Sequence, residues 1–229
     1  MVRIEKGTVY RLDNTNRPSS FDNPEDFYIG AYPVTQKLFE RVMNFNPSQY
    51  RGESRPVETI SWRELVHDDG FLTRINKLLL DSLPQTEWEF ALPFEYQWLY
   101  AAIKSNSSIH FEYSGGKEIN DFGWCNSNSN STMPVGLKTP NNLGIYDLCG
   151  NVSELCLDME FISMGEPSFK PFKNIDRNSL KLKTTKGGSF RDFESSIHTQ
   201  RRGAIEPNVK NEFTGFRLCL SKSKIIYEN

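Results

Sequence analysis

The sequence predicts an α+β domain with a few helices in its first half and an irregular, β-rich second half. Two observations carry that reading. Apolar residues recur at helical spacing in several segments up to Ile103, whereas beyond it Asn, Ser, Gly and Pro punctuate only short apolar pieces. The apolar content, 37% of residues with 13% aromatic, rests on large flat side chains, 16 of them Phe, more than on aliphatic runs. Such side chains bury much area each and suit a fold rich in loops.

Taken in order, Thr8 to Leu12 alternates apolar and polar residues, and Phe27 to Tyr32 is a second β-rich run. Pro33-Val-Thr opens a helix, with Thr35 as N-cap and Leu38, Phe39, Val42 and Met43 as its apolar stripe. Asn44 to Val57 is turn-rich. Ser61-Trp-Arg-Glu64 is a capping box ahead of Leu65, Phe71, Ile75, Leu78 and Leu79, and Asp68-Asp-Gly70 predicts a break near Gly70. Leu92 to Ala102 reads as a third helix with Pro93 near its first turn. No helix is predicted after Ile103, and Phe216 to Leu220 reads as a strand near the end of the chain. Ser105 to Ser108 and Ser127 to Ser131 read as surface loops. No repeat or linker divides the sequence, so 1–229 is read as a single domain.

Charge excludes some classes of partner. A formal net charge of -2 and a pI near 6.0 give no global attraction to nucleic acid or to an anionic membrane. The first ten residues lack the apolar stretch of a signal peptide, and no apolar run approaches the ~20 residues of a membrane span. Cys125, Cys149, Cys156 and Cys219 form no CxxC and are too few for a disulfide scaffold. A reduced cytoplasmic protein with buried thiols is expected.

The segment from Pro134 to Glu154 is too polar and glycine-rich for a regular element. It sets two carboxylates, Asp147 and Glu154, around a Gly150-Asn151 turn. A hard cation such as Ca²⁺ takes several oxygens from carboxylates and carbonyls on a bent loop, and this one offers them. The alternative is that both acids cap turns or pair with an arginine such as Arg217.

The order of motifs resembles the formylglycine-generating enzyme, or sulfatase-modifying factor, family. Tyr32-Pro-Val-Thr-Gln is similar to the family's first-helix opening, and Asn46-Pro-Ser-Gln-Tyr-Arg-Gly and Arg55-Pro-Val-Glu-Thr-Ile-Ser-Trp62 to the segment before its second helix. Leu92-Pro-Phe-Glu-Tyr-Gln-Trp-Leu-Tyr-Ala-Ala stands where the family has Leu-Pro-Thr-Glu-x-Glu-Trp-Glu-Tyr-Ala-Ala. Pro134-Val-Gly, Asn142-Leu-Gly-Ile-Tyr-Asp-Leu-x-Gly-Asn-Val-x-Glu154, Lys186-Gly-Gly-Ser-Phe190 and Gly215-Phe-Arg-Leu218 complete a series from about residue 25 to 220. The resemblance implies a C-type-lectin-like fold with little regular secondary structure. In active members it also implies copper-dependent oxidation of a substrate cysteine to formylglycine.

The copper pair follows the Gly-Gly-Ser-aromatic motif as Cys-x-x-x-x-Cys, because Cu(I) needs soft thiolates. Here those positions hold Asp192 and Ile197, so copper is not expected. His67, His110 and His198 show no ligand spacing, which argues against an iron site too. The family's calcium set carries over to the side chains of Asp147 and Glu154 and the carbonyls of Gly150 and Val152, so one calcium site is expected. A second family site, matched at Asn126, lacks its Asp. The family's two Trp residues in Gly-Asn-Val-Trp-Glu-Trp are Ser153 and Leu155 here, and its Arg-Leu-Pro-Thr is Ala91-Leu-Pro-Phe94.

The resemblance places a substrate groove along Phe190 to Ala204. Its Arg191, Asp192, Phe193, Ile197, His198, Arg201 and Arg202 mix aromatic, arginine and small polar groups suited to protein contacts. The expected function is a non-catalytic module that binds a protein or peptide, or a subunit of a larger bacterial-type assembly. The alternatives are an oxidoreductase-like enzyme rebuilt around Asp192, His198 and Arg201, and a purely structural subunit.

Overall fold

The structure, a computed structural model, describes residues 1–12, 18–23, 25–104, 113–159, 174–222 and 226–228. Four strands open the chain: β1 (Val2–Ile4), β2 (Gly7–Leu12), β3 (Pro18–Asn23) and β4 (Phe27–Ile29). The pairs β1–β4 and β2–β3 are antiparallel. Helix α1 (Gln36–Met43) then starts where the sequence places it, with the Thr35 hydroxyl accepting the Leu38 N–H. It buries Phe39 and Val42, while Leu38 stays partly exposed. Its Gln36 is buried because the turn-rich segment needs it. The Gln36 side chain donates to the Tyr50 carbonyl and accepts from Asn46 Nδ2 and the Gly52 N–H.

The capping box at Ser61 is complete in both directions. It starts α2 (Trp62–Val66), which stops before Gly70, and α3 (Phe71–Ser82) follows with Gly70 as its N-cap. The predicted break is steric as well as conformational. A Cβ at Gly70 would lie 2.4 Å from the Glu64 carbonyl oxygen. After β5 (Glu89–Ala91), α4 (Glu95–Ile103) begins two residues beyond Pro93 and is buried along Glu95 to Ala102. A helix buried all round is a helix packed from both sides.

Among the described residues the second half holds one short helix that the sequence did not predict, α5 (Ile119–Phe122), and a 3₁₀ turn at Glu194–Ser196. Four residues give too little periodicity to read. The remaining strands are β6 (Gly123–Trp124), β7 (Cys149–Gly150), β8 (Ser153–Met159), β9 (Asn174–Asp176), β10 (Lys183–Lys186), β11 (Arg202–Ile205), β12 (Thr214–Phe216), β13 (Cys219–Ser221) and β14 (Ile226–Glu228). The Phe216 to Leu220 run is thus two strands, which belong to different sheets. Of the two four-stranded sheets among the described residues, one has the order β1-β4-β13-β5 and the other β11-β10-β8-β12, with β8 and β12 parallel and the other pairs of the second antiparallel. The chain crosses between sheets at Arg217 and Leu218.

Aromatic rings fill the space below. Phe39 stacks on Phe71 with centroids 5.2 Å apart, and Phe216 meets both edge-on. All four cysteines are free and buried, as the sequence suggests. Among the described residues no helix is long and apolar enough to cross a membrane. His110 and the Ser105 to Ser108 loop lie outside the described residues.

Candidate functional site

The Gly150-Asn151 turn is built by residues with unusual backbones. Asp147, Gly150 and Asn151 all have positive φ, and a Cβ at Gly150 would sit 1.8 Å from the Trp124 carbonyl oxygen. The turn delivers Glu154 into the core at the crossing between the sheets. There Arg217 Nε donates to Glu154 Oε2 at 2.9 Å and its NH2 to Oε1 at 2.7 Å. Trp98 Nε1 donates to Oε2 at 2.7 Å. The remaining guanidinium N–H groups reach the carbonyls of Gly30 and Tyr146. Glu154 therefore takes the arginine pairing that the sequence left open as the alternative to metal ligation.

Asp147 is different. It is buried, and its oxygens accept only neutral donors, the Gly136 N–H at 2.7 Å and Asn151 Nδ2 at 3.5 Å. Burial pushes its carboxyl above the usual range, against the Gly136 bond and the Arg217 charge, which pull it down. With Asp147 ionised, two buried carboxylates face one guanidinium, and an uncompensated buried charge is strongly disfavoured. A cation on Asp147 and the nearby carbonyls would balance that charge, so the residues fit one. Glu154 would share itself with Arg217. Among the described residues no group of three or more His, Cys, Asp and Glu side chains is placed to hold a metal ion.

A second charged cluster lies on the face of β8, β10 and β11 that meets α4. Glu95 accepts from Arg202 through both oxygens, at 2.8 and 2.6 Å, and Lys186 stands 3.7 Å away. Asp158 caps the start of α4 by accepting the Glu95 N–H at 2.7 Å. Complete burial pushes Asp158 up to about 7. Arg202, expected in the groove, thus turns to the opposite side of the sheet. Its register partner Lys186 shows why, since both side chains leave the same face.

The groove itself is a pocket of about 150 Å³ bordered by Asp192, Arg201, Ile205 and Phe213, with Ser153, Thr185, Gly203 and Thr214 along its floor. Asp192 Oδ2 accepts from the Ser189 N–H and hydroxyl at 2.9 and 2.8 Å and so closes the turn after Gly188. Ile197 does not reach the pocket. It is fully buried in a small cluster with Tyr113, Ile119, Cys125 and Cys149, pressed on Gly188, where a Cβ would stand 2.6 Å from its Cγ2. His198 is half-buried and does not line the pocket, although its carbonyl accepts the Arg201 N–H. Arg191 leans on Phe213 and pairs with Glu212 at 2.6 Å. Phe193 is 70% exposed, and neither it nor Arg191 lines the pocket.

The structure therefore brings Asp192 and Arg201 together and leaves Ile197, His198 and Arg202 elsewhere. The sequence missed the floor residues. The period-2 register of β8, β10 and β12 was the only signal for them, and those strands are too short to read alone. A larger hollow of about 480 Å³ lies apart from the groove, between Met43, Phe45, Ile60 and the rim pair Glu64–Lys210.

Comparison with known proteins agrees with this architecture. A family model described as the sulfatase-modifying factor enzyme 1-like domain matches residues 1–222. The chain is similar to the chaperone protein LppX of Paenibacillus barcinonensis, 33% identical across 97% of this chain and 89% of that protein. It is 28% identical to the formylglycine-generating enzyme of Thermomonospora curvata, over 72% of this chain and 55% of that enzyme. Among solved structures, Treponema denticola variable protein 1 superposes with a TM-score of 0.75 at 24% identity, covering 96% of this chain and 94% of that one. At that identity the likeness concerns the fold alone.

Proposed function

The chain belongs to the sulfatase-modifying factor enzyme 1-like domain family, and we propose that within it this protein is a non-catalytic module that binds polypeptide, alone or as a subunit of a larger assembly. One observation carries the reading. Where the resemblance calls for two thiolates at the groove, Asp192 is tied to Ser189 and Ile197 is sealed in the core. Neither can present a soft ligand. The exposed Phe193, two residues from the exposed Arg191, supports a protein-contacting surface, because aromatic and arginine side chains dominate such contacts. The relative named as a chaperone, similar across nearly the whole chain, supports polypeptide as the ligand class. Free buried thiols fit a reducing cytoplasm.

A structural Ca²⁺ belongs to the same proposal. Asp147 would be its carboxylate ligand, with the carbonyls of Gly150 and Val152, and Glu154 at the margin. When bound, such an ion supplies charge balance to the turn rather than chemistry.

The test uses labelled, reduced and carboxymethylated α-lactalbumin, a permanently unfolded chain. Saturable binding, weakened by Phe193→Ser, is expected by fluorescence anisotropy. The protein supplied with copper and a thiol peptide is expected to form no aldehyde. Aldehyde formation, or no saturable binding, would overturn the reading.

A further inference from the structure

We propose that the groove selects a carboxamide: the anchor it takes from a bound polypeptide is the side chain of a glutamine or asparagine. The inference rests on the polypeptide-binding reading above and adds the chemistry of the anchor.

The floor is a consequence of register. Thr214 pairs with Ser153 across β12 and β8, and Thr185 pairs with Gly203 across β10 and β11. Thr185 also pairs with Leu155, so these residues share the face that carries Leu155 and Phe216. One end of that face is covered, with Phe216 under Phe71 and the Lys183 amine 3.8 Å over the Trp62 ring. The other end is the open pocket. Three hydroxyls, of Ser153, Thr185 and Thr214, stand there without a hydrogen-bond partner among the described residues. Gly203 keeps the Thr185 hydroxyl uncovered, since a Cβ on it would meet Thr185 Oγ1 at 2.4 Å.

Two unlike charges complete the lining. The Arg201 guanidinium has no partner among the described residues, and Asp192 has one oxygen, Oδ1, left after Ser189 occupies the other. An acidic anchor would face Asp192 and a basic one would face Arg201. An apolar anchor would strip water from both charges and from three hydroxyls with nothing in return, and each group left unsatisfied weakens binding. A carboxamide offers an acceptor for Arg201 and two N–H donors for Asp192 on separate atoms of one planar neutral group, whereas a hydroxyl must serve both from a single oxygen. The size agrees. About 150 Å³ is below the ~300–1,000 Å³ of small-molecule sites and close to the cavity that takes one benzene ring. That is room for one side chain.

The test is titration of the isotope-labelled protein with N-acetyl-glutamine methylamide and with its glutamate, lysine and leucine counterparts, read by amide shifts. Saturable shifts at Ser153, Thr185, Gly203 and Thr214 are expected, with a Kd for the glutamine probe at least tenfold below the other three. Asp192→Asn should bring the glutamate probe level with glutamine, because Asn keeps the acceptor for Ser189 and removes the repulsion. Arg201→Met, which breaks no hydrogen bond or ion pair among the described residues, should weaken the glutamine probe about tenfold. Equal affinities in the native protein, no shifts with any probe, or an unchanged ranking in Asp192→Asn would overturn the inference. Unfolded lactalbumin separates the two readings. If it binds while the probes show no ranking, the carboxamide inference fails and the polypeptide reading stands; if it does not bind, the polypeptide reading fails.

Discussion

Removing Arg217 is the most informative perturbation of the fold. Its side chain is fully buried and makes four hydrogen bonds, two to Glu154 and one each to the carbonyls of Gly30 and Tyr146. Arg217→Met keeps most of the apolar stem but strands Glu154 as a buried charge with Trp98 as its remaining donor. Breaking a buried pair from one side costs about 3–5 kcal/mol, against a total stability of about 5–15 kcal/mol for a folded domain. At ~2–4 °C per kcal/mol for a chain of this size, the melting temperature should fall by roughly 6–20 °C. The paired change Glu154→Leu with Arg217→Met removes both charges, so it should recover part of that loss. Recovery is incomplete because Trp98 Nε1 then lacks its acceptor. The assay is chemical denaturation of the two singles and the double, read as a cycle. A loss below about 1 kcal/mol for Arg217→Met, or a double change equal to the sum of the singles, would refute the claim that this pair locks the two sheets together.

Three further outcomes are expected. Asp158, held near 7 by burial, keeps its proton in the folded state when the unfolded chain has already lost it, so stability should fall as pH rises from about 4 to 7. Asp158→Asn should flatten that slope in melting curves taken at pH 5 to 7.5, below the range where Lys183, pulled down to about 8, adds a slope of the opposite sign. Calcium should raise the melting temperature and a chelator lower it, with Asp147→Asn abolishing both shifts; a native chain indifferent to calcium and chelator would rule the ion out. Gly150→Ala puts a Cβ into the Trp124 carbonyl at positive φ, so it should unfold the turn, seen as loss of amide protection at Asn151.

Local signals made the first half of the fold legible. The Thr35 cap, the Ser61-to-Glu64 box and the Gly70 break each depend on residues within a few positions, and each stands as the sequence reads. The second half is decided by partners far along the chain. Phe216 to Leu220 looks like one strand, yet Phe216 pairs with Leu155 while Cys219 pairs with Ile29 and Ala91. No local pattern distinguishes those destinations. The same limit applies to the site. Asp192 and Arg201 were visible as a stretch of chemistry, but Arg202 follows Arg201 directly and points to Glu95 on the other side of a sheet. A one-residue step reverses the face of a strand, and the register that fixes it depends on β10.

The departures from the family pattern reinforce one another in space. Ile197 extends the core under Gly188, Asp192 is drawn into the Ser189 turn, and Ser153 stands on the groove floor where the resemblance places a Trp. On the reading proposed above, the first two take away a soft-metal site and the third opens room beside where it would have been. On that reading, loss of the thiols alone does not account for a serine where the resemblance places the tryptophan. Its replacement by a residue whose hydroxyl has no partner among the described residues points to a groove reshaped for an occupant. Ser153→Trp makes this argument testable. If the groove is vestigial, refilling it should leave polypeptide binding untouched and add stability through burial of the ring. If the groove is used, the same change should abolish binding of unfolded lactalbumin while the chain stays folded.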